Sequence, residues 1–185
     1  MGQPAGADNI NSLSDGFSDG SSVALGANAM CVPANISANT NNTALGILAQ
    51  RSLTTGECNI AIGNEALKQN LQSTSNVAIG FQALMAKSKG FGSVAVGNLS
   101  QRTKCCSSYN TSLGNGALEC GDQVTDGDNV AIGYKAAVST GNACRTVVIG
   151  SCAALNAAGN YTGSVYIGYT AGKCATFTDT VSIGN

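Results

Sequence analysis

The sequence predicts an all-β fold: a β-solenoid of about ten coils, about 17 residues each, built to pack against further copies of itself. Three observations predict it. A glycine-ended strand motif recurs along the chain at a nearly constant spacing. Within each motif, large and mostly β-branched residues alternate with a mostly small one. The segments between motifs hold most of the charge and most of the turn-forming residues.

The glycine is the anchor. It recurs as Gly26, Gly46, Gly63, Gly80, Gly97, Gly114, Gly133, Gly150, Gly168 and Gly184, with spacings of 20, 17, 17, 17, 17, 19, 17, 18 and 16. At such a position glycine supplies a bend or a positive φ that a β-branched residue resists. Immediately before it stand Leu25, Leu45, Ile62, Ile79, Val96, Leu113, Ile132, Ile149, Ile167 and Ile183. Two residues further back come Val23, Thr43, Ile60, Val77, Val94, Thr111, Val130, Val147, Val165 and Val181. Strand side chains alternate, so these two ranks share one face.

Between them lies Ala24, Ala44, Ala61, Ala78, Ala95, Ser112, Ala131, Val148, Tyr166 or Ser182. None of these strand segments carries a charge. A strand that is large on one face and small on the other, and uncharged on both, calls for burial on both faces. One coil is too small to supply two cores, so the second face is expected to meet another chain.

Three residues after the glycine an alanine recurs (Ala29, Ala49, Ala66, Ala83, Ala117, Ala136, Ala153, Ala171), with Ser100 as the exception. Leu67, Leu84 and Leu118 follow it in three repeats. The small residue is expected to let the chain turn inward, and the leucine to close the coil. Connecting segments such as Ala86–Gly90 and Asp126–Asn129 read as solvated turns. Asn59, Asn76, Asn110 and Asn129, with Ser22, Ser93 and Ser164, open strands four residues before the glycine. Stacked in register, asparagines form hydrogen-bonded ladders; asparagine also simply suits a turn.

Neighbouring coils about 4.8 Å apart give a rod on the order of 50 Å long. Residues 1–21 lack the full repeat and are expected to form an N-terminal lead, with 22–185 as the repeat domain. The last residues, Thr180–Asn185, stop in mid-repeat. An open strand edge there suggests a piece of a longer fibre or an end that docks onto another subunit.

Composition argues against most chemistry. Charged residues are 10% of the chain, net charge is −1 and histidine is absent, so no basic surface attracts nucleic acid or acidic membranes. No run approaches the roughly 18 apolar residues of a membrane helix. The N-terminus has no secretory signal pattern, so a native Met1 would imply synthesis in a cytosol and release by lysis or assembly.

The eight cysteines (Cys31, Cys58, Cys105, Cys106, Cys120, Cys144, Cys152, Cys174) contain no Cys-x-x-Cys pair. Their scattered offsets argue against a disulfide ladder. Isolated disulfides stay open, and buried free thiols are the default expectation. Asp122, Asp126 and Asp128 in the long connection, and Asp15 and Asp19 in the lead, match no calcium motif and read as solvated loops.

Gly168–Lys173 resembles a phosphate loop one residue short, with Cys174 where Ser or Thr would stand. The repeat already accounts for its Gly168 and Ala171. No Ser or Cys has a histidine base, and no two acids recur at fixed positions for glycoside hydrolysis. Sequons at Asn35, Asn41, Asn98, Asn110 and Asn160 are common by chance in such a composition. No enzymatic activity, metal or cofactor is expected.

The motif Asn76-Val77-Ala78-Ile79-Gly80-Phe81-Gln82-Ala83-Leu84 resembles the head repeats of trimeric autotransporter adhesins, the YadA-like family. It resembles still more the longer-period repeats of phage tail fibres and of fibre-like proteins of large DNA viruses. The resemblance runs from about Ser22 to the end. It implies a left-handed parallel β-roll, three chains packed side by side as a homotrimer, with Val77 and Ile79 and their equivalents filling the roll and the alanines permitting close packing.

The period, nearer 17 than the 14 or 15 of adhesin heads, favours a virion fibre or spike segment at the virion surface. Such a shaft would attach to a host surface glycan or protein receptor through loops such as Lys87–Phe91 or Cys105–Tyr109. A bacterial adhesin head at the cell surface and a self-assembling filament subunit are the alternatives. An ice-binding solenoid would need flat threonine ranks, which are only sporadic here.

Overall fold

Short runs rich in Val, Ile and Thr favour extended backbone, and the glycine after each run ends it. The computed structural model describes residues 16–18, 21–31, 41–103, 107–119, 127–138, 143–156, 162–174 and 178–184. It contains β1 (Gly16–Ser18), β2 (Val23–Leu25), β3 (Thr43–Leu45), β4 (Ile60–Ile62), β5 (Val77–Ile79) and β6 (Val94–Val96). Then follow β7 (Thr111–Leu113), β8 (Val130–Ile132), β9 (Val147–Ile149), β10 (Val165–Ile167) and β11 (Val181–Ile183). No helix occurs among the described residues.

The strands form one sheet in chain order. From β2 to β11 every pairing is parallel and in register, so Val77, Ala78 and Ile79 stand beside Val94, Ala95 and Val96. This is a β-solenoid with one strand per coil. β1, within the expected N-terminal lead, pairs antiparallel with β2.

Each coil turns at fixed positions. The glycine carbonyl accepts a hydrogen bond from the N–H three residues on, as in Ala66 to Gly63 and Ala83 to Gly80 at 3.3 Å. The residue two after the glycine has positive φ (Glu65 60°, Gln82 55°), as type II turns require. So has the residue four after it (Leu67 50°, Leu84 49°, Leu118 52°). These strained conformers are held by neighbouring coils. Glu65 N–H donates to Ile47 O in the preceding coil at 2.9 Å, and Leu67 N–H to Ala83 O in the following one at 3.0 Å. Backbone groups that bend the coil therefore stay paired.

The ten anchor glycines all have positive φ, from 108° to 137°. At Gly80 the reason for glycine is also steric, since a Cβ there would lie 2.5 Å from Gly97 O. Gly80→Ala is expected to cost about 3 kcal/mol or more, combining backbone strain with overlap that only coil separation relieves. Urea denaturation followed by circular dichroism measures it. A loss under about 1 kcal/mol would mean that the coils do not stack this closely.

The two strand faces are the reverse of the expectation. Ala24, Ala44, Ala61, Ala78, Ala95, Ser112, Ala131, Val148 and Tyr166 point into the coil and are buried, while Val77 and Ile79 and their equivalents face outward. The physical reason is room. A narrow coil has space for about one large side chain per layer, and the turn provides it: Leu67, Leu84 and Leu118 are fully buried against the small strand residues. The recurring alanines three after the glycine also line this interior; seven are 0–1% exposed and Ala29 is half-buried.

Two exceptions in the repeat meet inside it. Ser100 replaces the turn alanine, Ser112 replaces the strand alanine of the next coil, and their hydroxyls hydrogen-bond at 2.5 Å. Gln101 Nε2 donates to Ser112 Oγ at 2.8 Å and to Val94 O at 3.0 Å. This polar trio separates an apolar cluster running from Ala24 to Ala95 from a second running from Ala117 to Ala171.

Candidate functional site

With the interior filled by turn residues and strand alanines, function falls to the exterior. There the outer strand face carries two ranks from β2 to β11, aliphatic except at Thr43 and Thr111. Val23, Leu25, Ile60, Ile62, Ile79, Leu113, Val181 and Ile183 are all exposed, Leu113 by 50%, and their equivalents are at least partly so. The rank after the glycine continues this surface with exposed Ile47, Phe81, Tyr134 and Tyr169. The Lys135 ammonium lies 5.4 Å from the Tyr134 ring centroid, a cation–π distance.

Behind the strand start runs a buried polar ladder. Asn59 N–H and Nδ2 both donate to Asn42 Oδ1, at 2.9 and 3.2 Å; Asn76 N–H and Nδ2 donate likewise to Asn59 Oδ1, at 3.0 and 3.1 Å. Ser93 N–H donates to Asn76 Oδ1, Asn129 N–H to Asn110 Oδ1 and Thr146 N–H to Asn129 Oδ1. Of the two readings of these asparagines, the ladder is the one formed. Asn42, Thr146 and Thr180 also belong to the rank; aligning every strand on its glycine would have included them.

Three of the asparagines also tie their own coils together. The Nδ2 groups of Asn42, Asn59 and Asn129 donate to the carbonyls fourteen residues later, Gly56 O, Ser73 O and Ala143 O, at 2.8–2.9 Å. At Ser93 the amide is missing. There Lys87, fully buried, sends its Nζ to Ser93 Oγ at 2.8 Å and to Ser107 O, the carbonyl fourteen residues after Ser93. Lys87 stands in for the missing side chain amide.

This corrects the solvated reading of Ala86–Gly90: Lys87 and Gly90 are buried, and of that candidate binding loop only Lys89 and Phe91 are exposed. In Cys105–Tyr109, Cys105 and Cys106 lie outside the described residues, Ser107 is buried and Tyr109 is 61% exposed. Asn129, also expected in a solvated turn, belongs to the buried ladder, whereas Asp128 beside it is exposed.

The remaining candidates disperse. Cys31, Cys58 and Cys174 are exposed free thiols and Cys144 and Cys152 half-buried ones, so the expected burial does not hold for these five. Cys120 lies outside the described residues, as do Asp15, Asp19, Asp122, Asp126, Asn35 and Asn160. Among the described residues no three His, Cys, Asp or Glu side chains gather. Gly168–Lys173 is the turn after β10, and its Gly172 accommodates the Tyr166 ring. On the outer wall Lys68 pairs with Glu65 at 2.7 Å. That hydrogen bond, then one from Gln82, holds the Glu65 carboxyl below its usual range.

One further rank was not singled out in the sequence. The residue five before the glycine is exposed with positive φ (52–59°) at Asn41, Cys58, Ser75, Tyr109, Asp128, Arg145 and Asp179. Three of these with larger side chains, Tyr109, Asp128 and Arg145, fall on successive coils. Their signal was positional: each directly precedes a ladder residue, Asn110, Asn129 or Thr146. No protein-family model matches the chain, and comparison with curated proteins and with solved structures gives no match.

Proposed function

We propose that this chain is a shaft or spike segment of a virion fibre, in which three copies pack side by side through their outer strand faces as left-handed β-rolls. The role is mechanical and adhesive, without catalysis. One observation carries the reading: two ranks, aliphatic except at Thr43 and Thr111, stand exposed or half-exposed from β2 to β11. A contiguous apolar surface of this kind marks an interaction site. Covering each half-exposed Val, Ile or Leu stabilises by roughly 0.5–1 kcal/mol, and eighteen such positions per chain line the face. The Asn-Val-Ala-Ile-Gly motif, like those of tail-fibre and YadA-like repeats, supports the trimeric arrangement.

Sedimentation of the purified chain tests it. The expected mass is three times 18.4 kDa. Because Ile79 and Leu113 point away from the coil interior, Ile79→Asp with Leu113→Asp is expected to leave the β-signal of a single coil stack intact. It should nevertheless dissociate the assembly, since the carboxylates would be desolvated against apolar neighbours. A fully β-structured wild-type monomer would refute the reading, and long polymers in electron micrographs would favour a filament subunit instead.

A further inference from the structure

The exposed rank at the strand entrance differs in chemistry from the aliphatic face beside it. Tyr109, Asp128 and Arg145 follow one another on adjacent coils, tied through their backbones: Tyr109 N–H donates to Phe91 O at 2.8 Å, Asp128 N–H to Ser108 O at 3.3 Å and Arg145 N–H to Gly127 O at 3.0 Å. Adjacent coils are about 4.8 Å apart, so the three side chains leave the surface over about 10 Å. Neither charge belongs to either of the two ion pairs among the described residues.

The aromatic ring is positioned by a neighbour. A Cβ at Gly92 would meet Tyr109 Cδ1 at 2.9 Å and Cε1 at 3.1 Å, so the ring lies against the glycine of the preceding coil. Exposed Phe91 directly precedes that glycine. The corner thus offers an open aromatic surface with a carboxylate and a guanidinium in line.

We infer that this corner is a saccharide-binding site, its ligand a neutral oligosaccharide. A dry contact with another chain would have to desolvate two unpaired charges, which is costly. A sugar avoids that cost because its hydroxyls replace the water. Its axial C–H groups, slightly positive, lie on the negative face of an aromatic ring. Vicinal hydroxyls match the two oxygens of a carboxylate and the planar donors of a guanidinium. Asp128 and Arg145 together carry no net charge, and exposed Asp179, two coils on in the same rank with its carboxylate over Gly163, adds a negative one, which selects a neutral sugar over an acidic one. The inference deepens the attachment role within the fibre reading, but it does not depend on the trimer.

The test is saturation-transfer difference NMR on the full chain, with chitotriose, cellotriose and lactose as probes. At least one is expected to receive saturation on its ring C–H protons, at least fivefold reduced in both Tyr109→Ser and Arg145→Ala and unchanged in Tyr134→Ser. Gly92→Ala keeps all three ligand groups but displaces the Tyr109 ring, and should weaken the signal comparably, with circular dichroism confirming that each variant folds. Saturation of none of the probes, or equal saturation in Tyr109→Ser, overturns the inference, and so does a change in sedimented mass on Tyr109→Ser, which would make the rank an interchain contact. A trimer that ignores sugars would sink this inference alone; a monomer that binds them would sink the trimeric fibre alone.

Discussion

Replacing Tyr166 by alanine and Gly172 by leucine together is expected to leave the solenoid close to its original stability, although either change alone damages it. Inside the coil, the strand residue and the residue six positions later share one volume. Where the first is Ala61, Ala78 or Ser112, the second is Leu67, Leu84 or Leu118; where it is Val148, the second is Ala154; only the pair Ala131 and Ala137 is small on both sides. At Tyr166 the partner is Gly172, whose Cβ would stand 2.1 Å from Tyr166 Cδ1.

Tyr166→Ala alone empties the ring's space and should cost about 3–5 kcal/mol. Gly172→Leu alone drives a side chain into the ring and should cost about 3 kcal/mol or more. The double variant recreates an Ala–Leu pair, and leucine at this turn position already adopts positive φ at Leu67, Leu84 and Leu118. A double-mutant cycle by urea denaturation should therefore return a favourable coupling of about 3 kcal/mol or more. Simple additivity would mean that the two positions do not share one cavity.

The second large effect concerns Lys87. Lys87→Met removes the donor to Ser107 O and Ser93 Oγ and leaves a buried carbonyl without it, an expected loss of about 2–3 kcal/mol. Ser93→Asn alone places an amide where the ammonium already sits and should also destabilise. In the combined variant, the amide introduced by Ser93→Asn can reach Ser107 O as Asn59 reaches Ser73 O, while methionine fills the path of the lysine stem. Thermal unfolding of the four proteins is expected to show the double variant above both single ones. A double variant no better than Lys87→Met would mean that the lysine does not replace a ladder amide.

Both predictions rest on contacts that single residues do not announce. Lys87 lies in a stretch of Ala, Ser and Gly that reads as a surface turn, and lysine is rarely buried whole. Only the stacking of Ser93 between Asn76 and Asn110 explains why a cation is needed inside. Ser100 looks like an isolated departure from the alanine rank until Ser112 of the next coil is placed beside it. Tyr109, Asp128 and Arg145 are far apart in the chain, and the coil brings them to one corner.

The glycine period by itself determined that the chain coils, that one strand falls in each coil and that like residues stack on like. It also placed the asparagines in one rank, because parallel in-register stacking leaves residues at a common offset nowhere else to go. Which strand face turns inward was decided only by the tertiary structure. Alternation states that two faces differ, but not which one is enclosed. That depends on the width of the coil and on what the opposite wall contributes. Here the turn leucines fill the interior, the alanines make room for them, and the larger aliphatic residues are left outside.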